Sequence, residues 1–248
     1  MDALLPLAYG YALLLFRTAG LVATSPLFSL RSAPMEVKVG LSAAIAMAIF
    51  AGAGSPHAPL PAHLGALGSD VLLETALGLL AGAGGTLMLE SAAAAGQLAS
   101  QAMGLGYGAV LDPLNGAEST TVGELMRLLA LALAVSMGVH KEAVVWLTHS
   151  AQSVPPGTVG SVTELARGAI LQSLEAMALA IRLGFPYLAA TTLGHAVLGA
   201  LGRAAPQMHF SNLGFSVSIL FGGGALWLAT PSMLSLAAEA TLSAFSGR

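Results

Sequence analysis

Ionisable side chains stand inside otherwise apolar runs at Arg17, Glu74, Glu90, Arg127, Glu175 and Arg182, and Asp112 ends a glycine-rich stretch. A charge at the centre of a bilayer costs at least ~2.5–3.5 kcal/mol, so each is a functional candidate by default. Remote carboxylates of this kind could assemble the site of a membrane enzyme. The alternative is a structural ion pair or a charge reaching out from a helix end. Glu74 and Glu90 fall near the ends of one segment and Arg17 inside the first, whereas Asp112-Pro113 is also a plain turn initiator.

Templates for catalysis find no match. His140-Lys141-Glu142 and His195 lack a second ligand at helical spacing, so the zinc-protease pattern H-E-x-x-H is absent. "GLGYG", from Gly104 to Gly108, has neither the spacing nor the preceding strand of a dinucleotide fingerprint, and no phosphate loop or G-x-S-x-G elbow occurs. The six histidines are spread over distant segments, as hydrogen-bonded or interfacial residues would be. Without cysteine the chain has no disulfide, thiolate zinc site or thiol nucleophile. Neither a metal nor a cofactor is expected, and the sequence predicts a non-enzyme.

The elements that must hold these residues are apolar. Of 248 residues 56% are hydrophobic and 8% charged, against roughly 25% charged in a soluble domain, so water is not the chain's main solvent. Nine basic residues, scattered singly in a net charge of -3, exclude a nucleic-acid footprint. Asp2 stands where a secretory signal would carry positive charge, so the N-terminus is expected to be a retained helix. No polar linker divides the chain, which predicts a single unit over 1–248.

Helical segments are predicted over 3–24, 37–53, 70–90, 91–108, 122–150, 163–185, 187–204 and 213–244, some close to the ~20 apolar residues a span needs. Pro26, the run 54–65, Asp112-Pro113, Val154-Pro155-Pro156-Gly157, Pro186 and Pro206 are expected to end or kink them. Thr121 with Glu124 and Ser161 with Glu164 have capping-box spacing. Sustained Ala and Leu favour helix over strand, and no period-2 pattern of barrel length appears. The fold class is therefore all-α, an integral membrane protein of helical hairpins with broken helices. Short or charge-interrupted segments of this kind suit packing against protein better than immersion in lipid.

Small residues recur every fourth position at Ala92, Gly96, Ser100, Gly104 and Gly108, which gives a helix through this region a bare face for close approach. Gly78 and Gly82 repeat the spacing once.

These features together resemble the FliR family of the flagellar type III export gate, whose injectisome counterpart is SctT. The opening elements are Phe16, Arg17, Pro26, Phe28, Pro34, Val37 and Lys38; Glu74 and Gly78 match an E-x-x-x-G. Gly96, Gln101, Gly104, Asp112 and Pro113 match an A-G-x-L-x-x-Q-x-G block ending in D-P. Gly138, His140, Ser150, Pro155, Gly157, Pro186, Pro206, Gln207, Gly214 and Phe215 follow in the family's order. Met208–Asn212 departs from the family's usual apolar continuation.

The resemblance implies a hairpin protein resembling a fusion of FliP and FliQ, assembled with FliP-like, FliQ-like and FlhB-like subunits in the bacterial inner membrane at the flagellar basal body. Unfolded exported proteins would be its cargo. Met103, Gly104, Gly106, Tyr107, Gly108, Asp112 and Pro113 would lie in a loop that plugs the channel: glycine gives backbone freedom, and Met103 a soft apolar surface. Arg17, Pro34, Lys38, Glu74, Ala92, Gly96, Ser100, Gln101, His140, Pro206, Gln207 and Phe215 would serve packing and assembly. An injectisome subunit, a small multi-pass transporter with a substrate site at broken helices and a membrane enzyme are the alternatives.

Overall fold

The computed structural model describes residues 4–28, 34–54, 57–61, 63–105, 121–204 and 214–246. Among these there are seven α-helices and no strand: α1 Leu4–Thr24, α2 Met35–Gly52, α3 Leu64–Ala102, α4 Thr121–Ser136, α5 Val139–Ser153, α6 Val162–Ala204 and α7 Gly214–Ser246. Five of them (α1, α2, α3, α6 and α7) are long and apolar enough to cross a membrane, and α4 with α5, bent by 63°, is so as a pair. The chain is an all-α membrane protein.

Helix boundaries follow local chemistry. Pro34 starts α2 with φ -56° and ψ 151°, its carbonyl accepting from the amides of Val37 and Lys38 at 3.1 and 3.4 Å. At the start of α6 the Ser161 hydroxyl accepts from the Glu164 amide at 3.4 Å, the predicted cap. Glu124, in the first turn of α4, also accepts the Arg127 Nε at 2.9 Å.

Three boundaries differ from expectation. Segments 70–90 and 91–108 form one helix, α3, because nothing between Glu90 and Ala102 interrupts the alanine run. Pro186 stands inside α6 without ending it, and segments 163–185 and 187–204 are continuous. Proline of this kind is tolerated where neighbouring helices satisfy the freed backbone. Segment 122–150 is split at Met137-Gly138, where Gly138 takes φ 84° and receives no side-chain cap.

The chain divides into two compact units, each drawn from separate stretches of sequence: Met1–Leu87 with Ala134–Leu174 and Ala240–Arg248, and Met88–Leu133 with Glu175–Glu239. In the first unit Leu13, Leu14, Leu21 and Val22 of α1 are buried, together with Ala46 and Ile49 of α2 and Val139, Ala143 and Leu147 of α5. Tyr11 fixes α1 to α2, its hydroxyl donating to the Ala43 carbonyl at 3.4 Å and its ring edge-on to Phe50 at 5.8 Å. In the second unit the core is finer-grained: Ala92, Ala95 and Ala99 of α3, Ala130 of α4, Ala176 and Leu183 of α6, Ala237 and Ala238 of α7.

Candidate functional site

In the first unit α1 and α3 cross at backbone contact. A Cβ on Gly78 would overlap the Arg17 carbonyl oxygen, and one on Gly20 would sit 2.6 Å from the Thr75 carbonyl oxygen and 2.8 Å from the Leu79 amide nitrogen. One turn further, a Cβ on Gly82 would meet the Leu21 carbonyl oxygen at 2.7 Å. Only glycine permits helices to approach this closely. Threonines close the crossing: Thr24 donates to the Leu79 carbonyl at 3.0 Å and Thr86 to the Thr24 carbonyl at 2.7 Å. At its other end the Tyr9 hydroxyl donates to Asp70 Oδ2 at 2.9 Å.

The crossing positions a buried charge pair. Glu74 lies one helical turn before Gly78, on the same face of α3, and receives the Arg17 Nε at 2.6 Å, with both side chains 0% exposed. Arg17 also donates through Nη1 to Ser150 Oγ at 2.9 Å and through Nη2 to the Val154 carbonyl at 3.1 Å. The other carboxylate oxygen, Glu74 Oε1, accepts the Gly157 amide at 2.9 Å. Residues 155–158 form the turn that presents this amide, closed by the Thr158 amide donating to the Pro155 carbonyl at 3.1 Å, with Gly157 at φ 81°. A positive φ at the third turn position after proline is the type II arrangement and favours glycine.

This assembly binds rather than reacts. Both charges are consumed by partners, and the guanidinium ties α1, α3, α5 and the following turn together. The sequence leaves Arg17 and Glu74 open between function and ion pair; they are an ion pair. The E-x-x-x-G spacing has a physical reason here: the acid holds the arginine side chain and the glycine admits its backbone.

In the second unit glycines receive side chains. Gly96 of α3 faces α4, where an added Cβ would lie 2.8 Å from Met126 Cγ and 3.0 Å from Gly123 Cα. Gly184 of α6 receives Leu98, and Gly222 of α7 receives Met103 beside Thr191 Cγ2. Ser218 Oγ and His195 Nε2 join α7 to α6 at 2.8 Å.

The small-residue stripe is shorter than expected. Ala92 and Ser100 are buried on α3, with Gly96 between them against α4, but the helix stops at Ala102, and Gly104 is a left-handed terminus with φ 78°. Its amide bonds to the Gln101 carbonyl at 3.0 Å and the Leu105 amide to the Ser100 carbonyl at 2.9 Å, the paired bonds of a Schellman end. Gly104 therefore does not extend the bare helical face. Met103 is 2% exposed, so it fills the Gly222 notch and offers no free apolar surface.

Other expected residues are scattered. Gln101 and Phe215 are exposed, and Pro34 caps α2. The Lys38 carbonyl accepts the Ser42 hydroxyl at 2.8 Å. His140, in the first turn of α5, has a buried Nδ1 without a hydrogen-bond partner among the described residues. Gly106, Tyr107, Gly108, Asp112, Pro113, Pro206 and Gln207 lie outside the described residues. Sequence reasoning missed Gly20 and Gly184, isolated glycines in long helices, and Gly222, the first of the run Gly222-Gly223-Gly224; their signal is that glycine is unfavourable in a helix interior.

The family model described as "Bacterial export proteins, family 1" matches residues 8–244. The chain is 23% identical over 214 residues to a flagellar biosynthetic protein FliR of Caulobacter vibrioides, covering 86% of this chain and 85% of that protein. It is 27% identical over 228 residues to FliR of Pectobacterium carotovorum, covering 87% and 82%, and 26% identical over 216 residues to FliR of Escherichia coli, covering 84% and 79%.

Proposed function

The chain belongs to the FliR family of bacterial export proteins, and from that premise we propose that it is a non-enzymatic core subunit of the flagellar type III export gate. In this reading it packs with FliP-like and FliQ-like subunits, and a FlhB-like one, in the inner membrane at the basal body, and helps form and seal a channel for unfolded proteins.

Helix length against bilayer thickness carries the proposal beyond family membership. The 43 residues of α6 extend ~65 Å and the 39 of α3 ~58 Å, whereas the hydrocarbon core is ~30 Å thick. Yet α6 exposes Ile170, Leu174, Met177, Ile181, Phe185, Leu193, Val197 and Leu201 along nearly its whole course. From Ile170 to Leu201 these residues span ~47 Å of axis, of which the hydrocarbon core covers about two-thirds. Protein must cover the rest, which a multi-subunit gate supplies and a lone transporter does not. The seal is assigned to the charge-free run from Leu105 onward; Met103 is excluded from it by its place against Gly222.

Native mass analysis of the gently solubilised chain tests this. Co-produced with the FliP-like and FliQ-like subunits of its own bacterium it should run as a hetero-oligomer, and alone it should aggregate. A monodisperse monomer or homo-oligomer in both cases would refute the proposal. Deleting 106–111 should leave that oligomer intact and make the membrane leaky to small solutes; an assembled, ion-tight deletion places the seal elsewhere.

A further inference from the structure

Resting on that reading, we propose that α7 carries a hinge between Gly223 and Met233, matched by Pro186 of α6, and that Met103 in the Gly222 notch is the catch that holds it straight until an unfolded chain passes.

Within the second unit α7 is anchored on either side of this stretch and not along it. Before it, Ser218 Oγ joins His195 Nε2 at 2.8 Å, Phe221 lies over Gly194, and Gly222 receives Met103. After it, Leu234, Ala237 and Ala238 are buried. Between them no residue from 223 to 233 is buried, and Trp227 and Leu228 are 80% and 73% exposed. That leaves about three turns of helix with no buried side chain to hold them.

The same stretch is poor helix by composition. Gly222-Gly223-Gly224 leads into it and Pro231 stands near its end, and glycine and proline are the residues least favourable inside a helix. Packing explains Gly222, because Met103 occupies the place of its Cβ. It does not explain the next two: a Cβ on Gly223 or Gly224 would meet nothing within 4 Å among the described residues, and neither has positive φ. Alanine would fit at both positions and stiffen the helix, so what the two glycines give α7 is ease of bending. Pro231 removes the amide that would bond the Trp227 carbonyl. On either side of it the Thr230 and Ser232 hydroxyls donate back to the Leu226 and Ala229 carbonyls, a pattern that favours a bend.

At this level α6 also lacks a backbone amide. The Tyr187 phenol, next to Pro186, faces the Thr230 hydroxyl, next to Pro231, so the two prolines stand together and the helices can bend as a pair. Meanwhile α3 crosses this level without a break, with Leu98 in the Gly184 notch and Met103 in the Gly222 notch. Bending therefore draws the Gly222 notch away from Met103, whose flexible side chain can follow it or leave it.

Hydrogen exchange of the purified, assembled gate reads the hinge, and export of substrate in cells reads its use. Amides 225–230 should exchange at least about tenfold faster than amides 235–241. Gly223→Ala/Gly224→Ala should slow 225–230 about tenfold and lower export as far, with partner recovery within about twofold of wild type. Pro231→Ala, which restores a donor to the Trp227 carbonyl, should act in the same direction, and Met103→Ala should speed exchange instead. Uniformly slow exchange along α7 means that a partner or the core holds the stretch, and overturns the proposal. Loss of partners by the double alanine variant means that another backbone lies on these glycines, and also overturns it. So does slowed exchange with undiminished export, which shows a bend that the gate does not use. A wild-type chain that recovers no partner sinks the function proposed above instead, and the exchange contrast within α7, measured on that chain, still decides the hinge.

Discussion

Two kinds of glycine contact divide this protein. At the α1/α3 crossing, Gly20, Gly78 and Gly82 oppose backbone atoms, and a fully buried ion pair sits one turn away. In the second unit Gly184 and Gly222 oppose the side chains of Leu98 and Met103. Backbone cannot yield without moving a helix, whereas a methionine with three rotatable bonds can turn aside. The first region is a fixed joint and the second an adjustable one.

The largest effect should come from breaking the ion pair. Glu74→Ala leaves a buried guanidinium uncompensated, which typically costs about 3–5 kcal/mol; the gate complex should lose most of its yield, measured as steady-state abundance in membranes. Replacing both partners, as Arg17→Met/Glu74→Met, should recover only part of this. It removes the stray charge but strands Ser150 Oγ, the Val154 carbonyl and the Gly157 amide, each worth about 1–3 kcal/mol if left unpaired. Full recovery by the double variant would show that the turn at 155–158 has no need of the pair.

Next, Gly78→Ala should cost about 3 kcal/mol or more, at or beyond the usual overpacking range of roughly 1–3 kcal/mol, because its methyl meets the Arg17 carbonyl. The midpoint of thermal unfolding of the solubilised complex reads this. A shift no larger than that of Gly222→Ala would erase the distinction between the two regions.

Gly96→Leu and Leu98→Ala probe the two faces of α3. Gly96 abuts the backbone of Gly123 and should behave like the fixed joint, while Leu98→Ala empties a half-buried notch over Gly184 and should cost about 1–3 kcal/mol. Partner recovery under matched expression compares them, and equal losses would mean that α3 packs equally hard on both sides.

Gly222→Ala should be the mildest, about 1 kcal/mol, with Met103 shifting to make room. Paired with Met103→Ala it should cost less than the sum of the two single changes, a coupling visible in a double-mutant cycle. Strict additivity would contradict the contact.

Much of the fixed joint was legible in the sequence, and the adjustable one hardly at all. Arg17 and Glu74 stand out because charge is rare in apolar helices, but their pairing joins positions 57 residues apart, which spacing on one helix cannot reveal. The Gly157 turn announces itself through Pro155-Pro156-Gly157. Gly138 breaks a span without a proline to mark it, and Pro186 marks a break that tertiary packing overrides. The stripe ran past the true end of α3 because periodicity cannot distinguish Gly104 as a helical notch from Gly104 as a left-handed terminus; only its φ does.

The anchoring of Glu74 by Gly157 also has a consequence in time. Arg17 and Glu74 are both synthesised before residue 75, but Ser150, Val154 and Gly157, which complete their hydrogen bonds, follow only after some 76–83 further residues. At ~5–20 residues per second the nascent α1/α3 crossing exists for roughly 4–16 seconds with its charges paired and several donors and acceptors unmet. During that interval the chain must be shielded by water, by the insertion machinery or by another subunit. Assembly of this protein thus begins with an unfinished joint, and the turn at 155–158 is the part that finishes it.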